Sequence, residues 1–428
     1  LPAQGNAMKD LHETAKALFK AAVDRADPAT ALATAFQKTP PEPPLGSGRL
    51  IILALGKAAV PMVRKAMELL PTADRVVAVT NPENLIQIAG AMVMAGAHPV
   101  PDANSIAAGE CLRDAVADLT AKDRVVALIS GGGSALAVLP AGALTLADKS
   151  AVAKQLLASG MDINKMNLIR QQLSDLKGGG LLQLAAPAQV TSYILSDVIG
   201  DDLRAIASGP TVAPLGTQED AIALLQEAGL WDDLPASVVA HLQASPKKSD
   251  VPPSAAHLIG SNRHSLGAML DAAQAQGWNA RILNDALEGD VADAAAEIIA
   301  AAKSTENTTI PAALIFGGET TVQLRGDGLG GRNQELALRV ARDGASELTG
   351  KWLFLSGGTD GRDGPTEAAG GIVDGTSWDK IRTAGADPQA LLANNDSNKA
   401  LALCDALLMT GGTGTNVADV QVLLRLPA

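Results

Sequence analysis

Charged side chains placed directly after apolar runs are the first candidates for chemistry, because ligands of α/β proteins collect at the carboxyl ends of strands. Lys57 follows "LIILALG" and opens a helical stretch. Asp197 follows the run "SYILS", in "LSDVIGDDLRAIASGPT" (residues 195–211). Arg332 follows "GDGLGG" (residues 326–331), which holds a G-x-G-x-x-G spacing from Gly326 through Gly328 to Gly331. Arg332 at a helix start adds a guanidinium to the positive end of the helix dipole, a combination suited to charge spread over transferring phosphoryl oxygens. Asp197 could accept a hydroxyl proton or hold magnesium. Each has a plainer reading beside it. A cation beside a glycine turn is commonly a solvated surface charge, and Asp201 or Asp202 is explained by capping a helix start.

Glycine patterns narrow the chemistry. "LGKAA" has the Gly-Lys of a P-loop but neither its first glycine nor its hydroxyl, so it is not one. A dinucleotide turn needs an acid at the end of the next strand to hold the ribose, and the strand after "GDGLGG" ends in Ser356 and Gly357, which weakens NAD. Four apolar runs end in Gly-Gly, at "ALISGGGSA", "ALIFGGETT", "LFLSGGTDG" and "LLMTGGTGTN". Bare backbone N–H groups beside hydroxyls suit phosphate or carboxylate. The anion-binding candidates are therefore Gly56, Ser130, Gly131, Gly132, Gly133 and Ser134 in the first half. In the second they are Gly317, Gly318, Gly331, Asn333, Gly357, Gly358, Thr359 and Asp360. Asp363 and Glu367 lie in the same glycine-rich loop as Asp360, where some acids only stabilise turns. Five histidines without i, i+4 pairing give no zinc signature, and His98 in "GAHPVPD" reads as structural.

The elements that must position these residues alternate along the chain. Strand-like "RLIILALG", "RVVAVT", "MVMAG", "RVVALIS" and "QVTSYILS" are separated by helical stretches. The pattern restarts with "AHLIG", "ARILN", "AALIFG", "TTVQLRG", "WLFLSG" and "VADVQVLLRL". This is the signature of α/β architecture with largely parallel sheets covered by helices. A chain of 428 residues exceeds what one core usually supports, so two domains are expected. "SPKKSDVPPSA" is the expected linker, giving domains at 8–244 and 256–428 joined by 245–255; the residues ahead of Met8 are left out of the fold. "VADVQVLLRL" suits an internal strand or an edge that pairs subunits in a homodimer.

A net charge of −12 and only nine aromatic residues disfavour nucleic acid and anionic lipid as partners. Two cysteines outside any C-x-x-C spacing fit a reducing, cytoplasmic setting, and no apolar run is long enough to span a bilayer.

Taken together, "ALGKAA", "GAHPVPD", "LISGGGSAL", "NLIRQQLSDLKGG", "LSDVIGDDLRAIASGPT", "GGETTVQLRGDGLGGRNQELAL", "SGGTDGRDGPTEAAGGIVDG", "NNDS" and "TGGTGTN" resemble the class II glycerate kinases over nearly the whole chain. Two departures are Asn398, where that family usually has an aromatic, and Gly412, where it has a proline. The resemblance implies a Rossmann-like N-terminal domain, a C-terminal MOFRL domain and an active site in the cleft between them. It implies ATP-dependent phosphorylation of D-glycerate on its 2-hydroxyl, with Mg2+. Lys57 and Arg332 match the family's proposed active-site lysine and arginine; Asp197 is then a candidate base or metal ligand, and Glu319 a second metal candidate. Hydroxypyruvate reductase, a label also used in this family, is the rival reading and requires NAD(P)H.

Overall fold

The computed structural model describes residues 4–244, 251–306 and 308–427. They form two compact units, one from the described residues between 28 and 259 and the other from residues 4–27 with those described between 260 and 427.

In the first unit the strands are β1 (Leu50–Leu55), β2 (Arg75–Thr80), β3 (Met92–Ala95), β4 (Arg124–Ile129), β5 (Gln189–Leu195) and β6 (Ala255–Gly260). "LIILAL" and "RVVALI" are buried at every position, as parallel strands covered on both faces must be. The strand order is β3-β2-β1-β4-β5-β6, with β1 paired in parallel to both β2 and β4. This doubly wound order reverses direction between β1 and β4, and the turns leaving those two strands carry Lys57 and the "SGGGS" segment.

The second sheet contains β7 (Asn279–Asp290), β8 (Ala312–Thr321), β9 (Trp352–Gly358), β10 (Gly370–Asp374), β11 (Leu407–Leu408) and β12 (Asp419–Arg425), in the order β11-β10-β9-β12-β8-β7. Four strands, β7, β8, β9 and β11, point one way; β10 and β12 run against them. "VADVQVLLRL" is thus internal, with β12 inserted between β8 and β9. "TTVQLRG" is not a separate strand. β8 continues through Gly317 and Gly318, flanked there by β12, and on to Thr321 along β7. The short glycine-rich strand β10 is an element that the alternation of apolar runs did not reveal.

Each face of this sheet has its own core. Helices Val291–Lys303 and Arg332–Glu347 cover one face. The other is covered by helices Gln4–Arg25 and Asn262–Ala275. In the first of these, Leu11, Ala15, Leu18, Phe19 and Ala22 form one apolar stripe at helical spacing, packed with Ile315, Leu355 and Val422 of the sheet. The N-terminal helix therefore belongs with the C-terminal sheet, whereas the expected first domain began at residue 8. Of the expected linker, residues 245–250 lie outside the described residues. Val251 packs on the first unit's core, and Ala255 already belongs to β6.

Candidate active site

Gly56, the first residue after β1, has φ +130°, and a Cβ there would lie 2.2 Å from Ser130 Oγ. Only glycine lets the β1 and β4 exits approach this closely. The contact is then stitched: Lys57 N–H donates to Gly131 O at 2.9 Å, and Ala58 N–H donates to Ser130 Oγ at 3.1 Å. The Lys57 carbonyl accepts from Asn84 Nδ2 at 3.0 Å. Gly132, at φ +82°, lies under the Lys57 side chain, since a Cβ there would be 3.1 Å from Lys57 Cγ and 3.5 Å from His98 Cδ2. Asp197, at the exit of β5, lies on Gly131, where a Cβ would be 1.8 Å from its Oδ2. Lys57, His98, Asp197 and the Gly131–Ser134 turn are thus brought together, and His98 belongs to the site rather than to a remote scaffold.

Burial shapes the titration of these groups. It raises the Asp197 carboxyl above the usual range, an effect partly opposed by a backbone hydrogen bond and the charge of Lys57. Burial, and then the Lys57 charge, lowers His98, leaving a neutral imidazole at pH 7. The residues around Asp201 and Asp202 form a turn rather than an α-helix start. There Asp202 accepts the Arg204 N–H at 3.0 Å and ion-pairs with its guanidinium.

In the other unit, Arg332 begins helix Arg332–Glu347. Its Nε donates to Asp419 Oδ2 at 2.5 Å, its Nη2 to Asp419 Oδ1 at 3.0 Å, and its Nη1 pairs with Glu319 Oε1 at 2.8 Å. Asp419, 1 % exposed at the head of β12, fits because its lateral neighbours in register are Gly318 and Gly358, which add no side chains. Burial alone would lower the guanidinium, but Asp419 and then Glu319 hold it above its ordinary range. Asp363 caps the same helix, accepting from Asn333 N at 3.1 Å and Gln334 N at 2.8 Å. Burial raises its carboxyl, and these donors oppose the shift. Asn333 Oδ1 accepts from Ser356 Oγ at 2.6 Å, Thr359 Oγ1 donates to Ala418 O at 2.6 Å, and Asp360 Oδ1 closes a turn by accepting Arg362 N–H at 3.0 Å. Glu367 is exposed.

Several glycine candidates have packing roles. Gly317 would clash with Asn262 Oδ1 and Gly357 with Leu408 and Phe19 if either carried a Cβ. The glycines of "GDGLGG" are not in the left-handed region; Gly326 and Gly328 lie on Asn394 and Asp396, Gly330 on Ser397 and Gly331 on Asp363. That loop is held by "NNDS": Asn395 Oδ1 accepts from Arg325 N at 2.7 Å and Gly326 N at 3.1 Å. Asn398 Nδ2 donates to Gln334 Oε1 at 2.8 Å, which gives the unusual asparagine a partner.

Two residues in contact with the candidate site escaped sequence reasoning. Asp419, the anchor of Arg332, was visible only as one acid heading an apolar strand. Lys177, in "LSDLKGG", donates from Nζ to Ser134 Oγ at 2.7 Å. As for metal, Asp197 and Glu319 belong to different units, and no group of three or more His, Cys, Asp or Glu side chains could hold an ion among the described residues. The candidates do not form a closed metal cage.

Fold and turns define an α/β protein that presents cations and backbone amides at the carboxyl ends of its strands. Residues 14–243 match a domain of unknown function, DUF4147, and residues 312–419 match the MOFRL family. A D-glycerate 2-kinase of Thermotoga maritima is 40% identical over 390 residues, 89% of this chain and 91% of that protein. A glycerate 2-kinase of Pyrococcus horikoshii is 38% identical over 392 residues, 88% of this chain and 87% of that protein. The crystal structure of a glycerate kinase from Thermotoga maritima superimposes with a TM-score of 0.90 at 37% identity, covering 98% of this chain and 100% of that one. This chain belongs to the glycerate kinase family.

Proposed function

We propose that the protein is an ATP-dependent glycerate 2-kinase that transfers the γ-phosphoryl group of ATP to the 2-hydroxyl of D-glycerate, giving 2-phosphoglycerate and ADP. The observation that carries this reading is the 40% identity to a D-glycerate 2-kinase over 89% of the chain, with Lys57 at the point where the strand order reverses.

Phosphoryl transfer asks an enzyme for position and for charge more than for covalent chemistry. Lys57 neutralises the migrating phosphoryl group. The Gly131–Ser134 turn offers N–H and hydroxyl donors to its oxygens. Arg332, fixed through Asp419, holds the glycerate carboxylate with the N–H groups its two acidic partners leave over. The 2-oxygen attacks the γ-phosphorus as the bond to the β,γ-bridging oxygen breaks. Its proton passes to Asp197, whose burial-raised affinity suits a base. Magnesium arriving with ATP would supply positive charge against its phosphates. Glu319, or Asp197 where it does not serve as the base, would be the carboxylate to hold it, one or two carboxylates being the usual protein share.

The reductase reading is disfavoured on two grounds. A relative from Agrobacterium vitis, 40% identical over 95% of this chain, carries the hydroxypyruvate reductase name only provisionally. In addition, β1 leads into Gly56-Lys57 rather than a three-glycine turn, and β2 ends at Thr80 and Asn81 with no acid for a ribose. No helix among the described residues is long and apolar enough to cross a membrane. The free Cys111 and Cys404 accord with a cytoplasmic setting. A coupled ADP-release assay with D-glycerate, beside an NADH-oxidation assay with hydroxypyruvate, tests the reading. ADP formation dependent on D-glycerate supports it, and hydroxypyruvate-dependent NADH oxidation alone overturns it.

A further inference from the structure

The turn that carries Ser134 borders a cavity of about 430 Å3 in the first unit, within the range of roughly 300–1,000 Å3 that small molecules use. Its lining includes Lys149, Lys154, Arg170 and Lys177, and no acidic residue among those described. Lys177 is 6 % exposed and gives a hydrogen bond to Ser134 Oγ, which is 2.9 Å from Ser208 Oγ. Ser208 and Ala207 have φ of +60° and +51°, a left-handed conformation that non-glycine residues keep only when their surroundings enforce it. The enforcement comes from the segment bearing the cations: Gln171 Nε2 and Gly178 N–H both donate to Ser208 O, at 3.1 and 3.0 Å.

Arg170 and Lys177 both line this cavity, near enough for their charges to interact. The charge of Arg170 works on Lys177, adding to burial in lowering it to about 7. An anion in the cavity beside them would relieve both the repulsion and the desolvation. The rest of the wall is apolar, with Val152, Leu157 and Leu173 among its residues. A three-carbon hydroxy acid would fill little of this volume and has no use for an apolar wall. Gly132 and His98 line the cavity and also lie against Lys57, so the cavity is continuous with the surroundings of the proposed phosphoryl-transfer lysine.

We propose that this cavity seats the nucleoside triphosphate, with its base on Val152, Leu157 and Leu173 and its phosphates on Arg170, Lys177 and Ser134. The inference rests on the kinase reading but is tested separately from it. Calorimetry on the full chain would use two probes: the magnesium complex of a non-hydrolysable ATP analogue, and inorganic tripolyphosphate, which lacks a base. Lys177→Met and Arg170→Gln are expected to weaken both probes about tenfold or more, the scale of one charge-assisted contact. Leu157→Asn is expected to weaken the analogue and leave tripolyphosphate unchanged. Should Lys177→Met fail to fold, the other two variants decide, since Leu157 is 64 % exposed and tolerates a polar replacement. Unchanged affinity for the analogue in the folded variants overturns the proposal, as does a loss confined to D-glycerate affinity. If the wild-type protein binds the analogue here yet makes no 2-phosphoglycerate, the pocket stands and the kinase reading falls.

Discussion

In residues 28–259, Lys57 lies over a bare glycine and forms no salt bridge with a described carboxylate, and its neighbour His98 is neutral at pH 7. In the other unit, Arg332 is gripped by Asp419 and Glu319 together, two negative charges on one guanidinium. A lysine on an open turn can follow a phosphoryl group as it moves, because its ammonium is a compact charge on a flexible stem. An arginine pinned on its Nε–Nη2 edge offers a fixed fork, suited to a carboxylate that must not move. Under the proposed reading, the contrast suits the first unit to migrating charge and the second to a stationary acid.

The comparison breaks first at the cations themselves. Lys57→Ala should lower turnover by at least about a hundredfold, the scale of a lost transition-state charge contact. Arg332→Ala should cost as much in kcat/KM with a larger share in the KM for D-glycerate, and initial-rate kinetics separate the two patterns. Arg332→Ala also leaves Asp419 buried without its partner, and such losses cost about 3–5 kcal/mol. Adding Asp419→Asn should recover much of that stability in urea unfolding while turnover stays low; recovery of turnover would mean that Arg332 serves the fold alone.

A smaller effect is expected at the glycine seam. Gly56→Ala puts a methyl 2.2 Å from Ser130 Oγ at φ +130°, and should destabilise by about 1–3 kcal/mol and disturb Lys57, read as a lower melting temperature with reduced kcat. For Lys177, the folded pKa of about 7 lies below the ordinary 10.5. Between those values the unfolded chain binds more protons, so this lysine makes stability rise with pH through that window, and its burial costs most below pH 7. Lys177→Met should flatten that rise in urea midpoints taken from pH 7 to 10. An unchanged slope would place the lysine in a more polar setting. The smallest effect belongs to Glu319, whose side chain is 49 % exposed. Glu319→Gln should change stability by less than about 1 kcal/mol, as exposed pairs do.

How much of this could be read from sequence depended on whether a residue's role was local. Lys57 was legible because an apolar run, a glycine and a helical stretch follow one another within a few residues, and parallel strands place such exits at a binding surface. Arg332 was legible as a helix start. Its anchor was not, because Asp419 is 87 residues away and becomes its partner only through the insertion of β12 between β8 and β9. The "GDGLGG" spacing resembled a phosphate turn, yet Gly326, Gly328 and Gly330 are required by the close approach of Asn394–Ser397 and Gly331 by that of Asp363, contacts no local pattern encodes. Strand β10 escaped for a related reason: "GGIVD" is short and glycine-rich, and becomes a strand by pairing with β9 and β11. Lys177 read as the tail of a helical segment, and its burial depends on the separate "IASGPT" turn folding over it.

The most direct test of the central claim is phosphorus NMR of the products formed from ATP, magnesium and D-glycerate by the wild-type protein and by Lys57→Ala. The account predicts equal amounts of ADP and 2-phosphoglycerate from the wild type, and at least about a hundredfold less of both from the variant. A 3-phosphoglycerate resonance, free phosphate without an organic phosphate product, or equal rates from the two proteins would contradict it.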